Sequence, residues 1–116
     1  MLPKRYRLPR KEFRNIKANG KIIPGNIFSL LVLKRTSDQN SRFGFILSRK
    51  IEKRSTRRNR ARRLLVESIR PFLTQLPTNM DFIFLAKKSI FGKSLKEITF
   101  EVEKIFKIVN NEKIIA

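Results

Sequence analysis

The chain has 116 residues, of which 28 are Lys or Arg and only 9 are Asp or Glu, so its formal net charge is +19. This length suits one domain, and the absence of Cys excludes disulfides and thiolate metal sites. The longest apolar run, over residues 27–33, is too short to span a bilayer. Such an excess of positive charge favours a polyanionic partner, most commonly nucleic acid, with an anionic membrane surface as the next candidate.

The first elements along the chain are a basic arm and a short helix. Residues 1–8 predict an extended, flexible arm. Pro9 suits the first turn of a helix, because the missing N–H has no helical partner at that position. Phe13 and Ile16 then lie three residues apart on one face, and a glycine follows the segment. These features predict a helix over about residues 9–19.

Two segments rich in β-forming residues come next. After a turn signal at Pro24-Gly25, residues 27–34 are mostly apolar and predict a buried strand. Residues 43–47 predict a second strand after a polar turn at residues 37–41. We expect these two strands to pair as a hairpin with a loose loop. Residues 21–24 are a weaker candidate for a short additional strand.

The second half of the chain alternates helices with one strand. Residues 56–74 predict an amphipathic helix, whose apolar side chains recur at spacings of four, four and three: Ala61, Leu65, Ile69 and Phe72. Residues 82–86 form a short apolar strand. Ser94 and Glu97 match the capping-box pattern and open a last helix over about residues 94–109. This order of elements predicts a single α+β domain, a sheet with helices packed on it.

The segment Arg49–Arg63 is the most basic part of the chain. Nine of its fifteen residues are Lys or Arg, and Glu52 is its one acidic residue. Ordinary solvated helices interleave both signs of charge, because like charges at i,i+4 destabilise a helix. Guanidinium groups grip phosphate oxygens in a bidentate manner. We interpret the segment as a polyanion-binding surface, and a merely solubilising charge run is the alternative.

Structured RNA fits this surface better than a specific DNA site. The sequence has no helix-turn-helix spacing, no zinc ligand set and no heptad repeat next to a basic region. A membrane-active basic protein ranks below both, because the apolar stripes of the predicted helices are of the kind that faces a core.

The sequence offers little for catalysis by the chain itself. It has neither His nor Cys, so the usual acid–base group near neutral pH and the thiol nucleophile are missing. The acidic residues that lie close together are Glu97, Glu101 and Glu103 on the last predicted helix, where such residues usually pair with lysines. No glycine-rich phosphate loop is present. We therefore predict no catalytic residue, no metal site and no organic cofactor in the chain itself.

Several motifs taken together resemble the protein subunit of bacterial ribonuclease P. Arg58-Asn59-Arg60, followed by two further arginines, resembles the RNR signature of that family. Residues 42–50 resemble the strand that leads into the signature, residues 7–20 the opening helix, and residues 81–87 the last strand. The three-residue signature is weak alone, but the ordered set covers nearly the whole chain at family spacing.

The resemblance implies a fold. It would be one ribosomal-protein-like domain over residues 1–116 with the element order α-β-β-β-α-β-α and a mixed sheet. It also implies an unusual left-handed βαβ crossover that exposes Arg58–Arg63, although right-handed crossovers are otherwise the rule.

The resemblance also implies a function. The chain would be the non-catalytic subunit of a ribonucleoprotein endoribonuclease, in which a catalytic RNA uses Mg²⁺ to remove the 5′ leader of precursor tRNA. The catalytic RNA and precursor tRNA are then the expected partners, in the cytoplasm, with no membrane and no obligate protein partner. A structural ribosomal or other rRNA-binding protein is the alternative.

Two RNA-binding surfaces follow from the same resemblance. The RNA subunit would be bound by Arg49, Lys50, Lys53, Arg54, Arg57, Arg58, Asn59, Arg60, Arg62 and Arg63. A cleft between the opening helix, the sheet and the long helix would hold the single-stranded leader through Phe13, Lys17, Phe28 and Arg42. Lys17 and Leu31 stand where the family commonly carries aromatic residues, so we expect stacking on the leader to be weaker or differently placed.

Overall fold

The computed structural model describes residues 2–35, 40–76 and 78–111. Its three α-helices are α1 (Phe13–Asn19), α2 (Ser55–Ile69) and α3 (Leu95–Asn111). Its four strands are β1 (Lys21–Ile23), β2 (Phe28–Lys34), β3 (Arg42–Ile46) and β4 (Met80–Ala86). Short 3₁₀ turns cover Lys4–Tyr6, Arg10–Glu12, Arg70–Phe72 and Lys88–Ile90. The single α+β domain and its element order are as predicted, and the candidate strand near residues 21–24 is present.

The four strands form one mixed sheet in the order β1-β2-β4-β3. The central strand β4 runs antiparallel to β2, with Phe28 opposite Ala86, and parallel to β3, with Arg42 opposite Asp81. The predicted hairpin between residues 27–34 and 43–47 is therefore wrong. β4 lies between these two strands because its first five residues are all buried and need a partner strand on each side.

The period-two alternation of the strands divides the core between two faces of the sheet. On one face, α1 places Ile16 against Leu31 and Ile83. On the other face, α2 and α3 cover a larger cluster that includes Phe28, Leu30, Val32, Phe82, Phe84, Leu65, Ile69, Ile98 and Val102. The helices thus lie on both sides of the sheet, with the basic helix α2 on the larger side.

The N-terminal arm is folded against the sheet rather than extended. Leu2 and Leu8 are both buried, and the Leu8 amide donates a hydrogen bond of 2.9 Å to the carbonyl of Phe43 in β3. The Arg7 Nε donates to the Leu2 carbonyl at 2.7 Å. The prediction of an extended arm over residues 1–8 is wrong for the described residues, because two leucines anchor this basic segment to the core.

Individual residues explain where α2 ends and where α3 begins. The helix predicted over residues 56–74 ends as an α-helix at Ile69, because Pro71 has no N–H to donate and the chain continues as a 3₁₀ turn. The predicted capping box is confirmed in one half only: the Ser94 hydroxyl accepts from the Glu97 amide at 3.2 Å, but the Glu97 carboxylate accepts from the Ser94 hydroxyl at 3.1 Å instead of from the Ser94 backbone N–H.

β3, α2 and β4 form a parallel βαβ unit, and the left-handedness of its crossover stays a prediction. Among the helices of the described residues, none has both the length and the apolar character that a bilayer crossing requires.

Candidate nucleic-acid interface

The helix α2 has an apolar face that anchors it and a cationic face that it presents to solvent. Ala61, Leu65 and Ile69 are buried at four-residue spacing. After its first turn, the helix presents four exposed polar side chains around its middle, those of Asn59, Arg60, Arg62 and Arg63. Because the apolar face fixes the helix on the sheet, these side chains stay on the outside as one group.

The loop before α2 is held in place by Ser48 and Arg58. The Ser48 hydroxyl accepts from the Lys50 amide at 3.0 Å, and the Ser48 carbonyl accepts from the amides of Ile51 and Glu52 at 3.2 Å. The Arg58 guanidinium donates to the carbonyls of Glu52 and Lys53, each at 2.8 Å. Arg58, predicted to bind RNA, therefore also fixes the loop that carries Lys50 and Lys53.

Glu52 is the acidic centre of this loop. Its carboxylate lies 3.0 Å from the guanidinium groups of both Arg54 and Arg57, and its side chain is only 11% exposed. Burial by itself would raise the pKa of Glu52, but the hydrogen bond from Arg54 and the charges of Arg54 and Arg57 hold the pKa below its usual value. Glu52 therefore stays ionised and orients two of the predicted RNA-binding arginines.

The ten residues predicted for RNA-subunit binding lie together on the loop before α2 and the first half of α2. Arg57 and Arg58 are half-buried, and the remaining members are exposed: Arg49, Lys50, Lys53, Arg54, Asn59, Arg60, Arg62 and Arg63. Within the group, Arg62 donates a hydrogen bond of 3.1 Å to the Asn59 amide oxygen. The structure thus brings the predicted set together on one surface, which we call the basic surface.

The predicted leader cleft is brought together only in part. The half-buried ring of Phe13 lies directly over Gly44 of β3, where a Cβ atom would come within 2.5 Å of the ring. Lys17 is exposed one helical turn further along α1. Phe13 and Lys17 therefore share the α1 side of the sheet, and Gly44 is the residue that lets Phe13 approach the strand.

Phe28 does not belong to this cleft. It is 1% exposed and lies in the cluster beneath α2 and α3, with its ring centroid 5.0 Å from that of Phe84 in an edge arrangement. Because successive side chains of a strand point to opposite faces, Phe28 lies on the opposite face of the sheet from α1, where Leu31 is buried beneath Ile16. The prediction that Phe28 contacts the leader is wrong for this structure.

Arg42 is held by a buried carboxylate. Its guanidinium donates two hydrogen bonds of 2.9 Å to Asp81, which is 2% exposed, and Arg35 Nε lies 3.0 Å from the same carboxylate. The hydrogen bond to Asp81 raises the pKa of Arg42, whereas burial lowers the pKa of Arg35. Arg42 thus helps to build the end of the sheet, and a contact with the leader would use only its remaining donors.

A cavity of about 200 Å³ connects the two predicted surfaces. Its lining includes Phe13 from α1, Arg7 from the arm, Phe45 from β3 and Arg62 from α2. Arg7 and Phe45 were not predicted as site residues. No sequence pattern indicates that they line this cavity, because the arm, β3 and α2 come together only in the folded chain. The alternation of β3 places Gly44 on the opposite face from Phe43 and Phe45, but it does not identify Phe13 as the residue that covers Gly44.

A model of the family described as Ribonuclease P matches residues 2–110 of the chain. The chain belongs to the ribonuclease P protein family. Among its relatives, the ribonuclease P protein component of Fusobacterium nucleatum subsp. nucleatum is 38% identical over 106 residues, which are 90% of this chain and 93% of the relative. That of Clostridium kluyveri is 34% identical over 105 residues, 88% of this chain and 92% of the relative.

Solved structures of this family have the same fold. The RNase P protein from Thermotoga maritima is similar with a TM-score of 0.77 at 25% identity, over 87% of this chain and 94% of that one. The RNase P protein of Staphylococcus aureus has a TM-score of 0.81 at 20% identity, over 91% and 96% of the two chains. Family membership supports a role in tRNA 5′-end processing, as a subunit of a ribonuclease, and does not favour the ribosomal alternative.

Proposed function

We propose that the chain binds the catalytic RNA subunit of ribonuclease P through the basic surface and the single-stranded 5′ leader of precursor tRNA through the α1 side of the sheet. The observation that carries the proposal is that Arg60, Arg62 and Arg63 are all exposed, around the outside of a helix that is anchored by a buried apolar face. The helix backbone that carries these guanidinium groups is already fixed before binding, and each guanidinium can donate two hydrogen bonds to a phosphate.

The shape of the site supports the leader part of the proposal. The Phe13 ring and the exposed Lys17 ammonium offer a stacking surface and a phosphate contact on one side of the sheet. A base stacked on an aromatic ring contributes about 1–3 kcal/mol. The cavity that Phe13 shares with Arg62 makes this surface continuous with the basic surface, so one bound RNA assembly would contact both.

In this proposal the chemistry belongs to the RNA. Within the described residues, no group of three or more carboxylate, imidazole or thiol side chains lies close enough to hold a metal ion. We therefore assign no hydrolytic step to the chain, and Mg²⁺ would act through the RNA subunit. The contribution of the protein is to neutralise phosphate repulsion and to position the leader, which lowers the concentration of Mg²⁺ that the reaction needs.

Reconstitution at low Mg²⁺ tests the proposal. The purified chain is added to a bacterial ribonuclease P RNA, and cleavage is measured on two precursor tRNAs that differ only in the length of the 5′ leader, one very short and the other of several nucleotides. We expect faster cleavage with the protein, and a larger gain for the substrate with the longer leader. No gain at any Mg²⁺ concentration would exclude the proposed function.

Two variants separate the two surfaces. Arg60→Ala combined with Arg63→Ala should weaken binding of the RNA subunit, whereas Lys17→Ala should reduce the preference for the long leader without changing that binding. Lys107→Ala, which removes an exposed lysine of α3, is the control for a simple loss of charge. If all three variants behaved alike, binding would follow net charge and not these two surfaces.

A further inference from the structure

Asn19 and Gly20 are the one Asn-Gly pair in the sequence, and they lie at the end of helix α1. Such a pair is chemically reactive, because the backbone nitrogen of the glycine can attack the side-chain amide carbon of the asparagine. Glycine leaves this attack unhindered, since it has no Cβ atom. Asn19 is exposed, so water reaches its side chain. The end of α1 therefore combines a reactive pair with access to solvent.

The fold requires the glycine of this pair. A Cβ atom at residue 20 would lie 2.6 Å from the carbonyl oxygen of Ile16 and 3.1 Å from the carbonyl oxygen of Val32 in β2. Both neighbours are backbone atoms, which cannot turn aside as the end of a flexible side chain can. Any other residue at position 20 would push α1 away from β2, so the reactive pair follows from the close packing of the helix on the sheet.

In the folded chain, both reacting groups are engaged by other partners. The Gly20 nitrogen donates a hydrogen bond of 2.8 Å to the Ile16 carbonyl. The Asn19 side-chain amide donates to the backbone carbonyl of Asn15 at 3.2 Å and to the Asn15 side-chain oxygen at 2.6 Å. Because Asn15 lies one turn earlier, these bonds direct the Asn19 side chain toward the start of the helix and away from the nitrogen that would attack it. Ring closure therefore requires the last turn of α1 to open.

We propose that Asn19 is a deamidation site whose rate is controlled by opening of the last turn of α1. When the turn opens, the Gly20 nitrogen forms a bond to the side-chain carbon of Asn19. The side-chain nitrogen leaves as ammonia and takes the proton of the Gly20 amide with it. Water then opens the resulting succinimide ring at either of its carbonyl carbons, which leaves aspartate or isoaspartate at residue 19. Nothing is oxidised or reduced, and solvent water is the co-reactant.

The product does not fit the end of the helix as it stands. A carboxylate at residue 19 has no N–H to donate to Asn15, and its negative charge lies at the C-terminal end of α1, where the helix dipole is also negative. Isoaspartate adds a carbon atom to the backbone before Gly20, so the hydrogen bond from Gly20 to Ile16 cannot keep its geometry. Conversion should therefore loosen α1, the helix that covers this face of the sheet.

Peptide mapping by mass spectrometry tests the chemistry on the full chain. The protein is incubated at mildly alkaline pH in heavy-oxygen water, both folded and in denaturing guanidinium chloride. Digestion with trypsin in ordinary water then releases residues 18–21, in which Asn19 is the one asparagine. In the denatured chain we expect faster conversion at Asn19 than at Asn26 or Asn79, with one heavy oxygen gained and with both aspartate and isoaspartate formed. Equal rates at the three asparagines, or aspartate as the sole product, would overturn the assignment of this site.

Two matched substitutions test the control by α1. Ile16→Val and Ile105→Val each remove one methylene from a buried isoleucine, but only Ile16 holds α1 on the sheet. In the folded parent, conversion at Asn19 should be several-fold slower than in the denatured chain. Ile16→Val should speed conversion in the folded chain only, whereas Ile105→Val should not change it. Equal acceleration by both variants would mean that the pair reacts through global unfolding, and equal rates in the folded and denatured parent would mean that α1 does not protect it; either result would overturn the control by the last turn.

The effect of the product on α1 is measured with Asn19→Asp, which reproduces one of the two products. Hydrogen exchange at the Gly20 amide should be faster in this variant than in the parent. Asn26→Asp makes the same change of charge at another exposed asparagine and should leave that exchange rate unchanged. Unchanged exchange at Gly20 in Asn19→Asp would contradict the loosening of the helix.

Discussion

Asp81 shows how one residue can decide the structure around a candidate site. Its carboxylate is 2% exposed and is shared by Arg42, through two hydrogen bonds of 2.9 Å, and by Arg35 at 3.0 Å. Arg35 follows β2, Arg42 opens β3 and Asp81 lies in β4. A single carboxylate thus joins three strands at one end of the sheet.

Replacing Asp81 by Asn should destabilise the fold strongly. The change keeps the shape of the side chain but leaves two largely buried guanidinium groups without their counter-charge, and breaking such a pair costs about 3–5 kcal/mol. Urea denaturation of the variant and the parent measures the difference. Glu103→Gln, which removes an exposed pair with Lys107, is the control and should change the free energy of unfolding by less than about 1 kcal/mol. A similar small effect of Asp81→Asn would contradict the role given to this carboxylate.

Single residues were also where the sequence was least informative. The sequence pattern marked Asp81 as part of a strand motif, but its two arginine partners lie 39 and 46 residues away along the chain and are adjacent only through the sheet. Phe28 was assigned to the leader cleft because the family resemblance implies aromatic residues there. Alternation predicts which residues share a face with Phe28, but not which helix covers that face.

At the scale of a secondary-structure element, we expect opposite effects from substitutions on the two faces of α2: one should change stability and the other RNA binding. Leu65 is fully buried, so Leu65→Ala should lower the free energy of unfolding by about 2–5 kcal/mol. Arg60 is exposed, and Arg60→Ala should change stability by less than about 0.5 kcal/mol while weakening binding of the RNA subunit. Thermal melts and RNA-binding titrations on both variants test the pair. A marked loss of stability in Arg60→Ala would show that the cationic face is structural.

Most elements could be predicted from local pattern, but their pairing could not. The helical spacing in α2 and the cap that Ser94 provides for the Glu97 amide of α3 depend on residues three or four apart, and both are found where the sequence placed them. The position of β4 between β2 and β3 depends on contacts across half of the chain. Because β2 and β3 are neighbours along the chain, the sequence pattern predicted that they pair with each other as a hairpin. That hairpin does not form.

The net charge of +19 sets the behaviour of the whole molecule. Much of it is concentrated on the basic surface, so the positive side chains of the folded chain repel one another. The ordered set of motifs along nearly the whole chain, together with the overall charge, was enough to predict the family from the sequence. The contribution of the arm to the cavity beside Arg62 was not predictable, since the arm reaches that cavity only in the folded chain.

Salt should consequently have opposite effects on folding and on binding. The screening length falls from about 30 Å at 0.01 M salt to about 3 Å at 1 M, so the melting temperature of the isolated protein should rise with NaCl. The affinity for RNA should fall over the same range, because each counterion released from the RNA gains less free energy when the surrounding salt is more concentrated. Calorimetry and binding titrations in matched buffers test both. A melting temperature that falls steadily with added NaCl would contradict the account of self-repulsion.

The place of β4 in the sheet also has a consequence for synthesis on the ribosome. Until residues 80–86 have emerged from the exit tunnel, β2 has only the short strand β1 as a neighbour and β3 has no neighbouring strand, and both lie close in the chain to a strongly cationic segment. The sheet closes in one late step, when a single strand arrives and joins both halves. Before that step, the nascent protein can attract RNA by its charge alone, without the ordered surface that a folded domain presents.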